Sequence, residues 1–424
     1  PNQSLISDVY GVLPAFSHAK KHLKSWMRDE KRKSNFPFGL MGAKSYIHRE
    51  PLGVVGMISP WNFPMYLSLA PLAGIFSAGN QVMHKPSEFT PITSELLKEI
   101  CDSAFDETEF ATFLGGPDVG AAFTQLKFDH LLFTGSGNIG KHVMRAASEN
   151  LVPLTLELGG KSPVIVSDSS NLEITARRVM FNKTLNAGQI CLAPDYVYVH
   201  ETQKDNFVEA CKDQVNEFYS DLKYNPDYTS VINQKHYDRL NGLLTDAKDH
   251  GAELVEINPA NEDFSQQESH KIPPTLVLNP TDEMQIMKEE IFGPLLPIKT
   301  YKDINEPINY INKNDKPLGL YYFGNNKNEE TKVVNSTTSG GVTVNDIMGH
   351  IQQNELGFGG VGPSGMGKYD GFDGFMNFSN NKPIYKQIGF RLDKLLDAIR
   401  PPYKGSIENV LKLSLIHISE PTRR

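Results

Sequence analysis

Two stretches of this 424-residue chain combine residue types and spacings that could do chemistry. The first is Gly135-Ser-Gly137-Asn-Ile-Gly140, which has the G-x-G-x-x-G spacing. Glycines there let a backbone approach a phosphate, and the free N–H groups of a helix start attract it. Glu157 follows 17 residues after Gly140, close to where an acid would grip a ribose. The same run also reads as a plain strand-to-helix turn. It follows the fourth strand candidate, whereas the dinucleotide fingerprint belongs to the first βα turn. The second stretch is Asn186-Ala-Gly-Gln, a small and flexible run that suits an exposed loop, followed closely by Cys191. A thiol on such a loop is a candidate nucleophile, while Cys101 and Cys211 read as buried and inert.

These residues need a scaffold, and the pattern supplies one. Short apolar runs at 54–59, 81–85, 110–115, 130–135 and 153–159 alternate with helical spacing at 65–78, 91–104, 117–125 and 139–150. That alternation predicts βαβ units and a mostly parallel, doubly wound α/β sheet. Such sheets bind ligands beyond the carboxyl ends of their strands. The habit continues with strand 164–167, helix 172–185, strand 196–200 and helix 204–219. A polar loop at 258–270 and strands at 273–278, 295–300 and 341–345 follow. Residues 15–33 read as a basic helix. A boundary near Gly159-Gly160 closes the first set of units.

Composition narrows the class. With 42 Lys+Arg against 50 Asp+Glu, the net charge is −8, which disfavours nucleic acid or an anionic membrane surface as partner. No run reaches the roughly 18 apolar residues of a membrane span. Three well-separated cysteines fit a reducing, cytoplasmic compartment rather than a disulfide framework. The 12 histidines read as scattered, without ligand spacing, so no metal is expected. The start at Pro1 shows no signal-peptide pattern. The segment 414–424 has neither period nor turn logic and reads as a dispensable tail. Before it, 390–400 has helical spacing, and Ile407, Val410, Leu411 and Leu413 could pack as a further short helix.

Five islands go beyond pattern: Pro60-Trp-Asn-Phe-Pro64, Lys85-Pro-Ser-Glu88, Leu156-Glu-Leu-Gly-Gly-Lys161, Gly188-Gln-Ile-Cys191 and Glu289-Glu-Ile-Phe-Gly-Pro294. In this order they resemble the NAD(P)-dependent aldehyde dehydrogenase superfamily over residues 46–378. The runs beginning at Arg49, Phe128, Cys191, Thr338 and Phe358 are most similar to its class 3 branch and to the coniferyl aldehyde dehydrogenases. Members of this branch start with further helices before the point matching Pro1, so a truncated N-terminus is expected.

The resemblance implies a division of labour. A planar carbonyl releases hydride only after a nucleophile has made it tetrahedral, and Cys191 matches the family's thiol. Asn62, with the Cys191 backbone N–H, matches the oxyanion donors. Glu157 matches the general base that hydrolyses the thioester, rather than a ribose acid. Lys85 and Glu88 resemble the pair on the adenosine ribose, although an ordinary i, i+3 ion pair has the same spacing. Glu290 resembles the acid on the nicotinamide ribose, Phe292 the ring beside the nicotinamide, and Gly135 with Ser136 the helix start facing the pyrophosphate. The cofactor implied is NAD, with NADP possible. The substrate implied is an aromatic, coniferyl-type or medium-chain aliphatic aldehyde, and the assembly a homodimer. The expected organisation is an N-terminal helical part at 1–45, a cofactor domain at 46–159 and a catalytic domain at 160–368. A bridging segment at 369–413 and the tail at 414–424 complete it. A cofactor-free Cys-dependent acyl transferase and a non-catalytic binding protein remain as rival readings.

Overall fold

The computed structural model describes residues 2–36, 38–389 and 400–401. The stretch 390–399, the apolar residues after 401 and the tail at 414–424 lie outside the described residues. The chain divides into two compact units, one built from Pro1–Trp26 with Pro51–Ser379, the other from Met27–Glu50 with Asn380–Arg424.

The smaller unit holds β1 (Glu30–Arg32) and β2 (Lys44–Pro51), paired antiparallel. Arg49 reaches Glu30 at 2.6 Å, and Ile388 packs with Ala43, Phe38 and Met41. The basic segment is therefore not one helix. α1 (Val12–Trp26) ends at Trp26, and Glu30–Arg32 turns into the sheet.

The larger unit contains two sheets. In the first, the parallel strands β3 (Val54–Ile58), β4 (Gln81–Lys85), β5 (Phe110–Thr112), β6 (His130–Thr134) and β7 (Leu154–Glu157) stand in the order β7-β6-β3-β4-β5. The reversal of strand order at β3 is a switch point, where the loops after β3 and β6 splay apart and leave a crevice. α2 (Pro91–Ala104) begins on Pro91, whose missing N–H costs nothing there. α3 (Gly137–Ser148) is capped by the Ser136 side chain. The expected helix at 65–78 is two short pieces, Tyr66–Leu69 and Leu72–Ser77. Pro71 between them has no N–H to continue the ladder.

The second sheet uses β8 (Pro163–Val166), β9 (Tyr196–His200), β10 (Glu253–Glu256), β11 (Thr275–Leu278), β12 (Leu295–Tyr301), β13 (Gly319–Phe323) and β14 (Gly341–Val344), in the order β10-β11-β12-β9-β8-β13-β14. All its pairings are parallel except β10 with β11. Strands β8, β11 and β13 are buried along their whole length, as parallel strands covered on both faces must be. β13 and the polar helix α5 (Gln234–Asp249) have no counterpart in the pattern reading. α5 buries Leu240, Leu243 and Ala247 in the core and packs Tyr237 and Leu244 against it. Earlier in the chain, α4 (Leu172–Thr184) leads directly into the Cys191 segment. A two-residue antiparallel strand, β15 (Gly365–Met366), adds to the first sheet beside β7, with Gly365 opposite Glu157. β16 (Ser379–Lys386) completes the smaller unit's sheet in the order β1-β2-β16.

Candidate active site

The site forms where strand ends from both sheets of the larger unit converge. β3 ends at Ile58, and the chain runs through Ser59 to Asn62. Ser59 is tied down by its N–H on the Lys85 carbonyl at 3.1 Å and by its hydroxyl against His84 Nε2 at 3.0 Å. β6 and β7 end side by side, with Thr134 opposite Glu157 and the Gly135 N–H on the Glu157 carbonyl at 3.0 Å.

The Cys191 segment is not the exposed loop its composition suggests. Leu185–Gly188 forms a tight turn in which Asn186, Ala187 and Gly188 have φ of 50°, 51° and 72°. Ala187 through Ile190 are buried. Three successive left-handed residues cost free energy and persist only if the surroundings over-determine them. They are over-determined here. Gln189 donates to the carbonyls of Asn186 and Ser230, both at 3.0 Å, and accepts from Ile232 N–H at 2.9 Å. Asn62 Nδ2 donates to the Gln189 carbonyl at 3.1 Å, and Asn186 Nδ2 donates to the Asn62 carbonyl at 2.9 Å. The two islands carrying Asn62 and Cys191, 129 residues apart, are thus stitched to each other.

Two cavities open around this point. One, of about 360 Å³, is walled by Phe63, Tyr66, Met348, Ile351 and Phe358 and closed by Gly11 and Pro14. The other, of about 220 Å³, is lined by Trp61, Gly135, Ser136, His236, Glu290 and Phe292. Asn62, Leu67, Thr134, Glu157, Leu158 and Cys191 line both. Phe292 has φ of 48°, and the Trp61 ring stands edge-on to it at 5.4 Å between centroids. The Glu290 segment is clamped from behind. Arg239 donates to the Glu290 and Ile291 carbonyls, and Lys161 to those of Ile286 and Glu289. Asp195, paired with Lys161, accepts from the Ile291 N–H at 2.9 Å. A Cβ on Gly159 would collide with the Glu290 carboxylate, so only glycine leaves that side chain its place.

The electrostatics are those of a dry pocket. Burial, reinforced by Glu290 and Glu157, pushes the Cys191 thiol up to about 12. Burial raises Glu157 well above the usual carboxylate range, with Asp370 adding and Lys368 opposing. Burial pushes Glu290 up to about 8, helped by Asp195 and opposed by the Gly160 N–H, Lys161 and Arg239. Both Glu157 carboxylate oxygens, and Glu290 Oε1, are buried without a hydrogen-bond partner. Burial favours the protonated form of all three acids, the two carboxyls add to its effect on the thiol, and an uncompensated buried charge there would be expensive.

Lys85 and Glu88 form an ion pair at 2.7 Å, Lys85 buried and Glu88 partly open. They sit at the end of β4, outside both cavities, and are the predicted site residues that the structure does not bring into the cluster. Sequence reasoning passed over Gly159, Lys161 as a clamp, Arg239, Thr134 and the Gly11–Pro14 wall. Gly159 and Lys161 stand inside the Leu156–Lys161 island. The others join the site through contacts across 20 to more than 100 residues, which no local spacing announces.

Strand ends that converge on a half-buried thiol, an amide and an unpartnered carboxylate define a thiol-dependent enzyme, and comparison with known proteins identifies its class. Residues 4–384 match the aldehyde dehydrogenase family, and the chain belongs to that family: it oxidises an aldehyde to the carboxylic acid in an NAD(P)-dependent reaction. It is 53% identical over 412 residues to the probable coniferyl aldehyde dehydrogenase of Caulobacter vibrioides, covering 97% of this chain and 85% of that protein. It is 50% identical over 413 residues to the coniferyl aldehyde dehydrogenase of a Pseudomonas species, with the same coverage. Among solved structures, the substrate-bound state of Staphylococcus aureus AldH superposes with a TM-score of 0.90 at 38% identity, covering 97% of this chain and 87% of that one.

Proposed function

We propose that Cys191 is the nucleophile, Asn62 the oxyanion donor and Glu157 the base of an NAD⁺-preferring oxidation of aromatic, coniferyl-type aldehydes, with medium-chain aliphatic aldehydes as further substrates. The carrying observation is that Cys191, Asn62 and Glu157 line both cavities at once, so that a substrate in the larger and a cofactor in the smaller meet on one thiol. The aromatic wall of Phe63, Tyr66 and Phe358 suits a flat phenylpropenyl group, and the relatives named coniferyl aldehyde dehydrogenases support the same class.

The smaller cavity suits the nicotinamide end of a dinucleotide. Glu290 Oε1 is buried without a partner, as an acceptor awaiting ribose hydroxyls would be. A Cβ on Gly137 would meet nothing within 4 Å, so the start of α3 beside Gly135 and Ser136 is open to a pyrophosphate. Phe292 and Trp61 would flank the nicotinamide, and Lys85 with Glu88 would hold the adenosine ribose. Bound there, the cofactor supplies a hydride acceptor and the positive charge that the three-acid pocket lacks.

The chain's own part follows from its protonation. The Cys191 thiol, neutral in the isolated pocket, gives its proton to the ionised form of Glu157 as a carbonyl carbon is placed against Sγ. The addition converts the thiol into a thiohemiacetal whose oxyanion is met by Asn62 Nδ2 and the Cys191 N–H. Collapse of that adduct leaves a thioester. Once that proton has passed to solvent, ionised Glu157 takes a proton from the attacking water, the hydroxyl displaces Cys191 Sγ from the acyl carbon to give the acid, and the departing thiolate takes the proton back from Glu157 to restore the thiol. A buried carboxylate raised above its usual range is a stronger base than a solvated one, which suits this role.

The first sheet would be the cofactor domain over 46–159 and the second the catalytic domain over 160–368, with 1–45, 369–413 and 414–424 flanking them. A homodimer would use the open edges of the β1-β2-β16 sheet, since unpaired strand edges are templates for pairing. Among the described residues no helix is long and apolar enough to cross a membrane. Three free cysteines support a cytoplasmic, reducing setting. The test is reduced-nicotinamide absorbance with an aldehyde panel, using wild type and Cys191→Ala. Coniferyl aldehyde should give the highest kcat/KM, and the variant should give no turnover while binding NAD⁺ within a few-fold of wild type. Retained turnover would remove Cys191 as nucleophile.

A further inference from the structure

Outside the catalytic cluster, one group of side chains has the chemistry of a metal site. His18 and His22 stand four residues apart on α1, so they share one face of the helix. Their rings lie 4.5 Å apart between centroids. The i, i+4 spacing is a ligand spacing, and the reading of the histidines as scattered does not hold at this pair. Glu355, more than 330 residues away in sequence, approaches the same face. One ligand atom from each of the three lies within 4.8 Å of the others. His18 Nε2 is buried, makes no hydrogen bond, and stops 3.4 Å from Glu355 Oε1.

We propose that His18, His22 and Glu355 form a zinc(II) site that staples α1 to the 348–358 loop at the wall of the larger cavity. The donor set is two imidazoles and one carboxylate, which suits Zn²⁺ with an open fourth position for water. Ligand atoms on a tetrahedral zinc sit about 3.3 Å apart, from Zn–N lengths of about 2.0–2.1 Å. The cluster reaches that by small side-chain rotations, and Glu355 is exposed enough to make them freely. Ring contacts from Trp26 to both His18 and His22 support the two ligands from the helix side.

The position gives the site a consequence. Pro14, one turn before His18 on α1, and Asn354, next to Glu355, both line the larger cavity, as do Gly11, Ile351 and Gln352. A metal joining His18 to Glu355 therefore ties together two walls of the space proposed for the aldehyde. Bulky aldehydes, which need those walls to part, are affected more than small ones. This second claim rests on the reading of that cavity as the substrate site; the zinc site itself does not.

The binding arm uses the Cys191→Ala protein, so that the active-site thiol cannot hold the metal. Calorimetric titration with ZnCl₂ is expected to show one zinc per chain, and Co²⁺ to give the visible bands of a tetrahedral complex. His22→Ala and the exposed change Glu355→Gln, each added to Cys191→Ala, are expected to weaken binding at least tenfold with an unchanged metal-free melting temperature. No zinc uptake by the parent, or affinity within twofold of it in both variants, overturns the site. The kinetic arm uses the full enzyme. Zinc is expected to raise KM for a phenylpropenyl aldehyde several-fold more than for acetaldehyde, and this difference is expected to vanish in His22→Ala. Zinc bound with equal effects on both aldehydes overturns the link to the cavity. Failure of either aldehyde to reduce NAD⁺ in the metal-free enzyme speaks against the proposed function and leaves the binding arm standing.

Discussion

Glu290 offers a test of whether this pocket trades stability for function. Its carboxyl is buried, its Oε1 has no partner, and burial first, then Asp195, moves it from 4.5 to about 8. For an acid raised in the folded state, the sign runs against stability as pH increases. Below pH 4.5 both states are protonated and there is no penalty. Between 4.5 and about 8 the unfolded chain ionises while the folded one does not, and folding loses about 1.4 kcal/mol per pH unit. At pH 7 the loss is about 3 kcal/mol. Above pH 8 it levels off at about 5 kcal/mol. Glu290→Gln removes this titration. Its amide oxygen can still accept from the Gly160 N–H. The protonated acid presents one unpartnered O–H and the amide two N–H groups, so the amide carries an added cost that is the same at every pH. Unfolding entropy for a chain of this length is roughly 0.9 kcal/mol per kelvin, from about 2 cal/mol/K per residue. Relative to the difference at pH 4.5, the variant should therefore gain about 3 °C over wild type at pH 7, and more at pH 8.5. It should also lose affinity for NAD⁺. Differential scanning calorimetry of the cofactor-free protein across this pH range is the assay. The same melting-temperature difference at every pH, or one that moves against the variant at pH 8.5, would refute the picture of Glu290 as a buried acid held ready for the cofactor.

Other changes probe the remaining parts of the site. Glu157→Gln should give a burst of reduced cofactor and then stall, with an acyl adduct on Cys191 visible by mass spectrometry of the quenched enzyme; unchanged steady-state turnover would return Glu157 to a structural role. Because Glu157 is raised mainly by burial, the same variant should be more stable than wild type at pH 8 and not at pH 4, checked by denaturant titration at both. Glu88→Gln should raise the kcat/KM for NADP⁺ relative to NAD⁺ several-fold, since a 2′-phosphate would no longer face a carboxylate; a wild type already faster with NADP⁺ would contradict this. Gly159→Ala should displace the Glu290 carboxylate and raise the Kd for NAD⁺ at least tenfold, measured by fluorescence titration, with a much smaller effect on aldehyde-independent thiol labelling of Cys191.

The sequence by itself determined the parts that depend on short-range physics. The strand at Gln81–Lys85, the helix at Pro91–Ala104 and the strand at Tyr196–His200 fall where period and flanking Gly or Pro put them. The alternation of such elements was sufficient for a parallel α/β arrangement, because a parallel pair needs a crossover between its strands. The motif islands around Asn62, Glu157, Cys191 and Glu290 were legible as a family resemblance, each being a local string. Only the tertiary structure decided how those islands meet. The break at Pro71, the end of α1 at Trp26 and the polar-faced α5 depend on what each segment packs against. The Cys191 turn looked exposed because Asn, Ala and Gly are small, yet it is buried because Gln189 and Asn62 hold it from elements far along the chain. The raised Glu157 and Glu290, the ion pair of Lys85 with Glu88 apart from the cavities, and the approach of Glu355 to His18 belong to the same category. Burial and through-space charge depend on three-dimensional distance, and a linear spacing encodes that distance only within one helix turn or one strand.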